Sequence, residues 1–267
     1  MRILVTGGAG FIGSSLCEKL IQSGHHVVAL DSMFRGSEEN LASIVDHDGF
    51  TLYIGDVRDI DDLDACVDLL GGLDLVYHLA AINGTKWFHE AAHSVIDVNV
   101  NGTLRTLEVA MAHDAKYVFA SSPEAFGEPI SQPMSDGDPM ILTDPKQPQR
   151  HSYGGSKYLG EIACQHAARD GLEVAIVRPF NVYGPRLSGD DYGQVVAMFF
   201  RQMLESKPLN IHGDGSQTRS FTWIHDVVDG FVKAGMLDLP TGEVFNLGSQ
   251  EEVSIQYLAQ KVAQCGE

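Results

Sequence analysis

Short runs of Val, Ile, Leu and aromatic residues recur along the chain between longer stretches in which apolar residues return every three or four positions. The short runs predict strands at 2–6, 26–30, 51–54, 73–79, 117–121 and 173–178, because a strand covered on both faces needs a near-continuous apolar stretch. The helical spacing predicts helices at 11–23, 60–69, 92–113 and 152–170. Alternation of strand and helix through the first 180 residues predicts right-handed βαβ units, an α/β fold whose doubly wound parallel sheet carries helices on both faces. After Pro179 the pattern loosens. Gly184-Pro185 and Gly213-Asp214-Gly215 mark turns, extended pieces fall at 209–212 and 220–223, and helical spacing returns at 194–205, 226–235 and 255–264. We therefore expect two parts, a domain over 1–180 and a smaller mixed α/β lobe over 181–267 that closes over the carboxyl ends of the strands and stops abruptly, as if incomplete.

Composition narrows the partners. The 267 residues are 44% apolar, with 36 acidic against 18 basic side chains and a formal net charge of −18. That is a globular composition with enough apolar residues for a core without metal or disulfide staples. A body this negative repels phosphate polymers and anionic membranes unless it carries a basic stripe, and none is seen, so neither is expected as a partner. Cys17, Cys66, Cys164 and Cys265 form no metal or redox spacing and read as packing residues of a reducing compartment. Met1-Arg2 leads straight into an apolar strand, leaving no room for a signal peptide, and no apolar run is long enough to cross a bilayer. The expected location is cytoplasmic.

The first strand runs into Gly7-Gly8-Ala9-Gly10-Phe11-Ile12-Gly13, with glycines at 7, 10 and 13. Such spacing permits a tight strand-to-helix turn and close backbone approach to a pyrophosphate, which meets the free amides and positive dipole end of the helix. A plain tight turn is the bland alternative. Asp31, at the end of the second strand, favours the dinucleotide reading, since a carboxylate there accepts the adenosine ribose hydroxyls. It would repel a 2′-phosphate, so NAD is expected over NADP, although Arg35 keeps the second open. Asp56-Val57, after the third strand, stands where it touches the adenine edge or caps the next helix.

A second constellation carries acid–base chemistry. Tyr153 and Lys157 lie one helical turn apart at the start of a long helix, so phenol and ammonium share a face. The ammonium, with a nicotinamide cation, is expected to lower the phenol's pKa and make it a general acid/base. Ser121-Ser122, at a strand end, supplies a hydroxyl to the same oxygen. His89-Glu90-Ala91-Ala92-His93 fits a zinc-protease spacing, but no third ligand is identifiable and no metal is expected.

In order, GGAGFIG at 7–13, Asp31, Leu79-Ala80-Ala81, Asn99, Ser122, YGGSK at 153–157, RPFNVYGPR at 178–186 and HGDGSQTRSFTWIHD at 212–226 resemble the extended short-chain dehydrogenase/reductase family, specifically its NAD-dependent nucleotide-sugar epimerases and dehydratases. The resemblance spans essentially the whole chain. It implies a Rossmann-type cofactor domain in which Gly7, Gly10, Phe11, Ile12, Gly13, Asp31, Ser32, Met33, Asp56, Val57, Leu79, Ala80, Ala81, Asn99, Ser121, Tyr153, Lys157, Pro179 and Val182 border NAD. It implies further that Tyr153 takes the proton of the sugar 4-hydroxyl, that Ser122 hydrogen-bonds the same oxygen, and that Lys157, supported by Asn99, holds the nicotinamide ribose and tunes Tyr153. Asn83, Lys86, Ser122, Glu124, Tyr153, Asn181 and Arg219 would face the substrate, the last two Asn and Arg side chains at its diphosphate.

The fate of the 4-keto sugar is open at this level. Glu124 falls where the family's dehydratases and decarboxylases carry a glutamate, which could remove a carbon-bound proton. Pro123 replaces the aspartate acid of the common 4,6-dehydratases, and Tyr158 stands where the decarboxylase pattern has arginine. We therefore expect 4-epimerisation of a UDP-sugar, with a dehydratase using Glu124 as the alternative. A non-catalytic dinucleotide sensor on the same fold is the rival from another class. The resemblance also implies a homodimer built on the helices at 92–113 and 152–170.

Overall fold

The computed structural model describes residues 1–131, 134–135, 137–146, 151–189 and 194–266. The chain opens with β1 (Arg2–Thr6), α1 (Phe11–Gln22), β2 (His26–Asp31), β3 (Phe50–Ile54), α2 (Ile60–Leu70) and β4 (Leu75–His78). It continues with α3 (Thr85–Glu90), α4 (Ala92–Ala112), β5 (Lys116–Ala120), α5 (His151–Arg169) and β6 (Val174–Pro179). Then follow β7 (Val182–Tyr183), α6 (Val195–Leu204), β8 (Thr218–Arg219), β9 (Thr222–Trp223), α7 (Ile224–Met236), β10 (Glu243–Leu247), β11 (Val253–Ser254) and α8 (Ile255–Gln264). Short 3₁₀ turns cover Glu38–Leu41 and Pro123–Phe126.

Seven strands form one parallel sheet in the order β10-β6-β5-β4-β1-β2-β3. The alternation of side chains along each strand divides the core between the two faces. Ile3 and Val5, Val27 and Ala29, Leu75 and Tyr77, and Val118 and Ala120 pack with Leu16, Cys17 and Leu20 of α1 and with Val227, Val228 and Phe231 of α7. Leu4, Val28, Leu30, Val76, Tyr117 and Phe119 face the other way, onto Leu63 and Val67 of α2, Leu107 and Ala110 of α4, and Cys164 and Ala167 of α5. Both faces being dry, the strands need apolar residues at every position, which is why they read as short runs. The strand order reverses direction between β1 and β4, and the carboxyl edge at that point is where open α/β sheets bind ligands.

The structure departs from the expected division at residue 180. β10, beyond that boundary, pairs with β6 as the seventh strand, and α7 packs on the sheet beside α1. The segment at 209–212, expected to be extended, joins no sheet; Leu209 and Ile211 lean on the cluster of Phe199 of α6 and Ile255 and Ala259 of α8. No helix among the described residues is long and apolar enough to cross a membrane.

Candidate active site

At the end of β1 the chain must turn into α1 in four residues. Gly7 adopts a left-handed φ of 69° and its amide donates to Leu30 O at 2.8 Å. A Cβ on Gly13 would lie 2.1 Å from Gly7 O, so a side chain there would force the helix off the turn. Gly10 at the helix N-cap offers no side-chain oxygen, and the first turn, with Phe11 and Ile12, contains no acidic residue. The free amides and dipole end are thereby left to an anion. Asp31 closes the other side: buried at the end of β2, it accepts from Ala9 N and Met33 N, each at 2.9 Å. Burial lifts its carboxyl above the ordinary value, against the restraining amides of Met33, Ala9 and Gly10. Ser32 follows directly and Met33 takes a left-handed φ of 59°. Leu79, Ala80 and Ala81 continue β4 along the same edge, with Leu79 N donating to Thr6 O and Ala80 N to Thr6 Oγ1. This glycine turn with uncapped amides, flanked by a buried carboxylate, fits a dinucleotide.

Two neighbours behave differently from expectation. The cap of α2 is Asp59, not Asp56, whose carboxylate instead holds Arg58 through Nε at 3.0 Å. Val57 is buried beneath it, against Gly102 of α4. Arg35 donates to the carbonyl of Asn83, joining the loop after β2 to the segment before α3.

The groups expected to carry the acid–base chemistry meet at the exit of β5. Ser122 accepts from Glu124 N at 3.2 Å and caps the 3₁₀ turn rather than ending the strand, which stops at Ala120. Tyr153 is 6% exposed and stacks on Phe88 of α3, ring centroids 4.9 Å apart. α5 comes this close because residue 154 is glycine: a Cβ there would sit 2.4 Å from Glu124 O. Lys157, 3% exposed, donates from Nζ to Ala120 O at 2.7 Å, with Nζ 5.8 Å from the centre of the Tyr153 ring. Burial pushes the Lys157 ammonium down to about 8, against the opposing influence of Cys164 and Glu161. The Tyr153 phenol is pushed up, chiefly by burial; the Ser122 hydrogen bond lowers it and the Glu124 charge raises it. The lowered phenol expected from Lys157 is therefore not found: burial dominates, and the influence that lowers the phenol is the Ser122 hydrogen bond.

Asn99 supports Lys157 only through its helix. Its Oδ1 accepts from Ile82 N at 2.8 Å and its Nδ2 donates to Ser156 Oγ at 3.0 Å, while Ser156 Oγ donates to Tyr153 O. Pro179 ends β6, and Asn181, at a left-handed φ of 38°, donates from Nδ2 to Ser220 O at 2.9 Å. Val182 pairs with Thr222, so the 218–222 segment hangs on the end of β6. Arg219 is exposed there, its Nη1 on Thr218 O at 2.7 Å. Lys86 lies on α3, 3.9 Å from Glu90. The zinc-protease spacing is broken: α3 ends at Glu90 and α4 begins at Ala92, with Ala91 at φ −137° and ψ 38°, so the two histidines share no continuous helix. Among the described residues no group of three His, Cys, Asp or Glu could hold a metal ion.

Sequence reasoning missed Phe88, Ser156, Glu161 and Arg178. Ser156 and Arg178 lie inside the motifs at 153–157 and 178–186 with no role assigned to them, and Glu161 stands four residues beyond Lys157 on the same helix.

The family model for the NAD dependent epimerase/dehydratase family matches residues 3–248. The UDP-N-acetyl-alpha-D-glucosaminuronate decarboxylase of Bacillus cytotoxicus is 38% identical over 264 residues, covering 98% of this chain and 79% of that protein. UDP-glucuronic acid decarboxylase 1 of Arabidopsis thaliana is 35% identical over 266 residues, again 98% of this chain, and the chain spans 58% of its length. Among solved structures, the UDP-glucuronic acid 4-epimerase of Bacillus cereus, in complex with UDP-glucuronic acid and NAD, superposes with a TM-score of 0.85 at 34% identity, over 100% of this chain and 84% of that one.

Proposed function

The chain belongs to the NAD dependent epimerase/dehydratase family, and within it we propose that it is an NAD-dependent UDP-sugar 4-epimerase whose first substrate to test is a UDP-hexuronic acid. The observation that carries the chemistry is the buried meeting of Ser122, Tyr153 and Lys157 beside the glycine turn, at the point where the strand order reverses. The uronic acid comes from the relatives, decarboxylases and an epimerase that act on UDP-linked uronates. NAD would be held by the α1 amides and Asp31 and would supply the hydride acceptor. Tyr153 takes the proton of the 4-hydroxyl as the C4 hydrogen leaves as hydride, and returns a proton when hydride is delivered to the other face of the carbonyl, so atoms and electrons balance. Ser122 holds the oxygen throughout. The Ser122 hydrogen bond favours the phenolate that this step requires, against burial and Glu124. In this reading residues 181–189, 194–222 and 253–266 form the substrate side, with Asn181 and Arg219 at the diphosphate.

Glu124 supports a second reading. Its charge reaches the Tyr153 phenol, so a carboxylate stands beside the carbonyl-forming centre and could serve proton removal in a dehydratase. A C5 carboxylate is also β to a 4-ketone, and such acids lose CO₂ readily. Incubation with UDP-glucuronic acid, UDP-glucose and their N-acetyl counterparts, followed by ¹H NMR and CO₂ capture, separates the outcomes. Inversion at C4 with the carboxylate retained is expected; loss of CO₂ or of water would replace the epimerase reading, and no turnover of any of them would defeat both.

The proposed assembly is a homodimer through α4 and α5, on which Ile96, Leu104, Tyr158, Leu159 and Ile162 are exposed apolar side chains. Light scattering at micromolar concentration should give twice the chain mass; a monomer mass refutes it.

A further inference from the structure

Below the reacting groups lies an ionic cluster to which the proposed chemistry assigns nothing. Tyr153, Lys157 and Glu161 follow one another at four-residue spacing on α5, so they form one stripe facing β5 and β6. Glu161 and Arg178 of β6 are each 6% exposed. Arg178 donates Nε to Oε1 at 2.7 Å and Nη2 to Oε2 at 2.6 Å, a bidentate pair, and its guanidinium lies 4.3 Å from the centre of the Phe126 ring in the 3₁₀ turn. Ser121 Oγ donates to the same Oε1. Three consecutive residues at the exit of β5 are thus in use: Ala120 O holds Lys157, Ser121 is held by Glu161, and Ser122 faces Tyr153.

A buried ion pair of this kind is poor evidence for stability, because desolvating two charges cancels most of their attraction. Its retention at this position calls for another use. We propose that Glu161 is a positioning residue of the reaction centre, which fixes the exit of β5 through Ser121 and keeps Lys157 charged one helical turn above it. The inference rests on the reading under Proposed function. The groups facing Lys157 are Tyr153, Glu161 and Cys164 on α5 and His78 on β4, with Glu124 beyond Tyr153 and Arg178 beyond Glu161. Of these Glu161 supplies the negative charge that raises the ammonium's pKa, offset in part by Arg178 on its far side, while burial pushes the Cys164 thiol up and keeps it neutral.

The test uses the whole protein and two readouts. The first is the titration midpoint of Lys157, followed by ¹³C-lysine NMR without substrate and assigned by its disappearance in Lys157→Met. Glu161→Gln should lower that midpoint by about one unit, and Glu161→Asp should restore it. If Glu161→Gln does not fold, because Arg178 is left buried without a counter-charge, the pair Glu161→Gln/Arg178→Gln replaces it; the midpoint should still fall, but by less, because a more distant positive charge is removed with the negative one. The second readout is kcat against KM in Ser121→Ala, which leaves the ion pair intact; kcat should fall roughly tenfold with KM unchanged. An unchanged Lys157 midpoint in a folded Glu161 variant overturns the electrostatic role, and wild-type kcat in Ser121→Ala overturns the positional one. Wild-type protein that turns over no nucleotide sugar would instead defeat the function proposed above, and the Lys157 midpoint would still judge Glu161.

Discussion

Lys157 should cost the protein stability at neutral pH, and the cost should vanish on a predictable schedule. Its ammonium is buried and its pKa stands at about 8, against an ordinary value of 10.5. Below pH 8 both folded and unfolded chains carry the proton, and the folded state pays the whole desolvation penalty. Between pH 8 and 10.5 the folded chain has released the proton while the unfolded chain still binds it, so this residue makes stability rise with pH. The shift of roughly 2.5 units corresponds to about 3 kcal/mol at neutral pH. Replacing Lys157 by Met removes the charge and keeps most of the side-chain volume. At pH 7 the variant should be more stable than the wild type by about 1–3 kcal/mol, the lower end allowing for the lost bond to Ala120 O. By pH 9.5 the difference should have shrunk by about 2 kcal/mol, because the wild type has by then shed its proton. Urea unfolding of both proteins at matched pH, followed by circular dichroism, gives the two curves. A variant less stable at pH 7, or a gap that does not change with pH, would refute the argument that burial dominates this group. Turnover should be lost in the same variant, so one substitution would separate what Lys157 does for the reaction from what it does to the fold.

Tyr153→Phe keeps the ring stacked on Phe88 and removes the proton carrier; turnover should drop by about 10²–10⁴-fold with NAD still bound, and near-normal turnover would remove Tyr153 from the mechanism. Asp31→Asn replaces a carboxylate acceptor by a neutral one, and NAD affinity should weaken by roughly tenfold to a hundredfold, measured by fluorescence titration; unchanged affinity would show that Asp31 serves only the turn. His78 is buried between Thr6 Oγ1 at 2.7 Å and Thr103 Oγ1 at 3.1 Å, and burial holds its pKa down at about 3. The unfolded chain binds a proton near pH 6.5 that the folded chain refuses, so stability present above that value is lost as pH falls towards 3, by up to about 5 kcal/mol. Unfolding of wild type and His78→Gln at pH 7 and pH 4.5 checks this; parallel losses in the two would refute it.

The parts of the fold legible in the sequence are those in which burial is complete and local. β1, β2 and β5 show as apolar runs because both sides of each strand are dry, and α5 shows because its length gives the period room. β10 hides because it is a half-buried edge strand, EVFNL, recruited to the sheet from well beyond β6. α3, six residues long, is too short for a helical period to declare itself. At 209–212 the alternation is real but reports something else: Leu209 and Ile211 pack on α6 and α8 while Asn210 N donates to Gln202 Oε1, so one-sided burial is achieved with no sheet. The candidate site divides the same way. The glycine turn, Asp31 and the Tyr-Lys pair carry local patterns, whereas the stacking of Phe88 on Tyr153 and the pairing of Glu161 with Arg178 join segments far apart in the chain. The phenol's raised pKa went unforeseen for that reason, since a nearby ammonium is visible in the sequence and the desolvation opposing it is not.

The charge of −18 then raises a question of scale, because the proposed ligands, NAD and a nucleotide sugar, are themselves anions. Exposed charges act through water and salt, which screen them beyond roughly 8–10 Å. The groups at the binding edge act at contact and in a drier medium. The first turn of α1 carries no acidic side chain that would consume its amides, and Lys157 sits under the edge at 3% exposure. Asp31, which would oppose the pyrophosphate if it projected into solvent, is turned against the amides of Ala9 and Met33. Arg178 is buried in an ion pair with Glu161, so that at the distance of the binding edge the two together add little net field. What meets the anions is therefore mostly backbone dipole, fixed by the fold, and the net charge of the surface is free to remain strongly negative without closing the site to them.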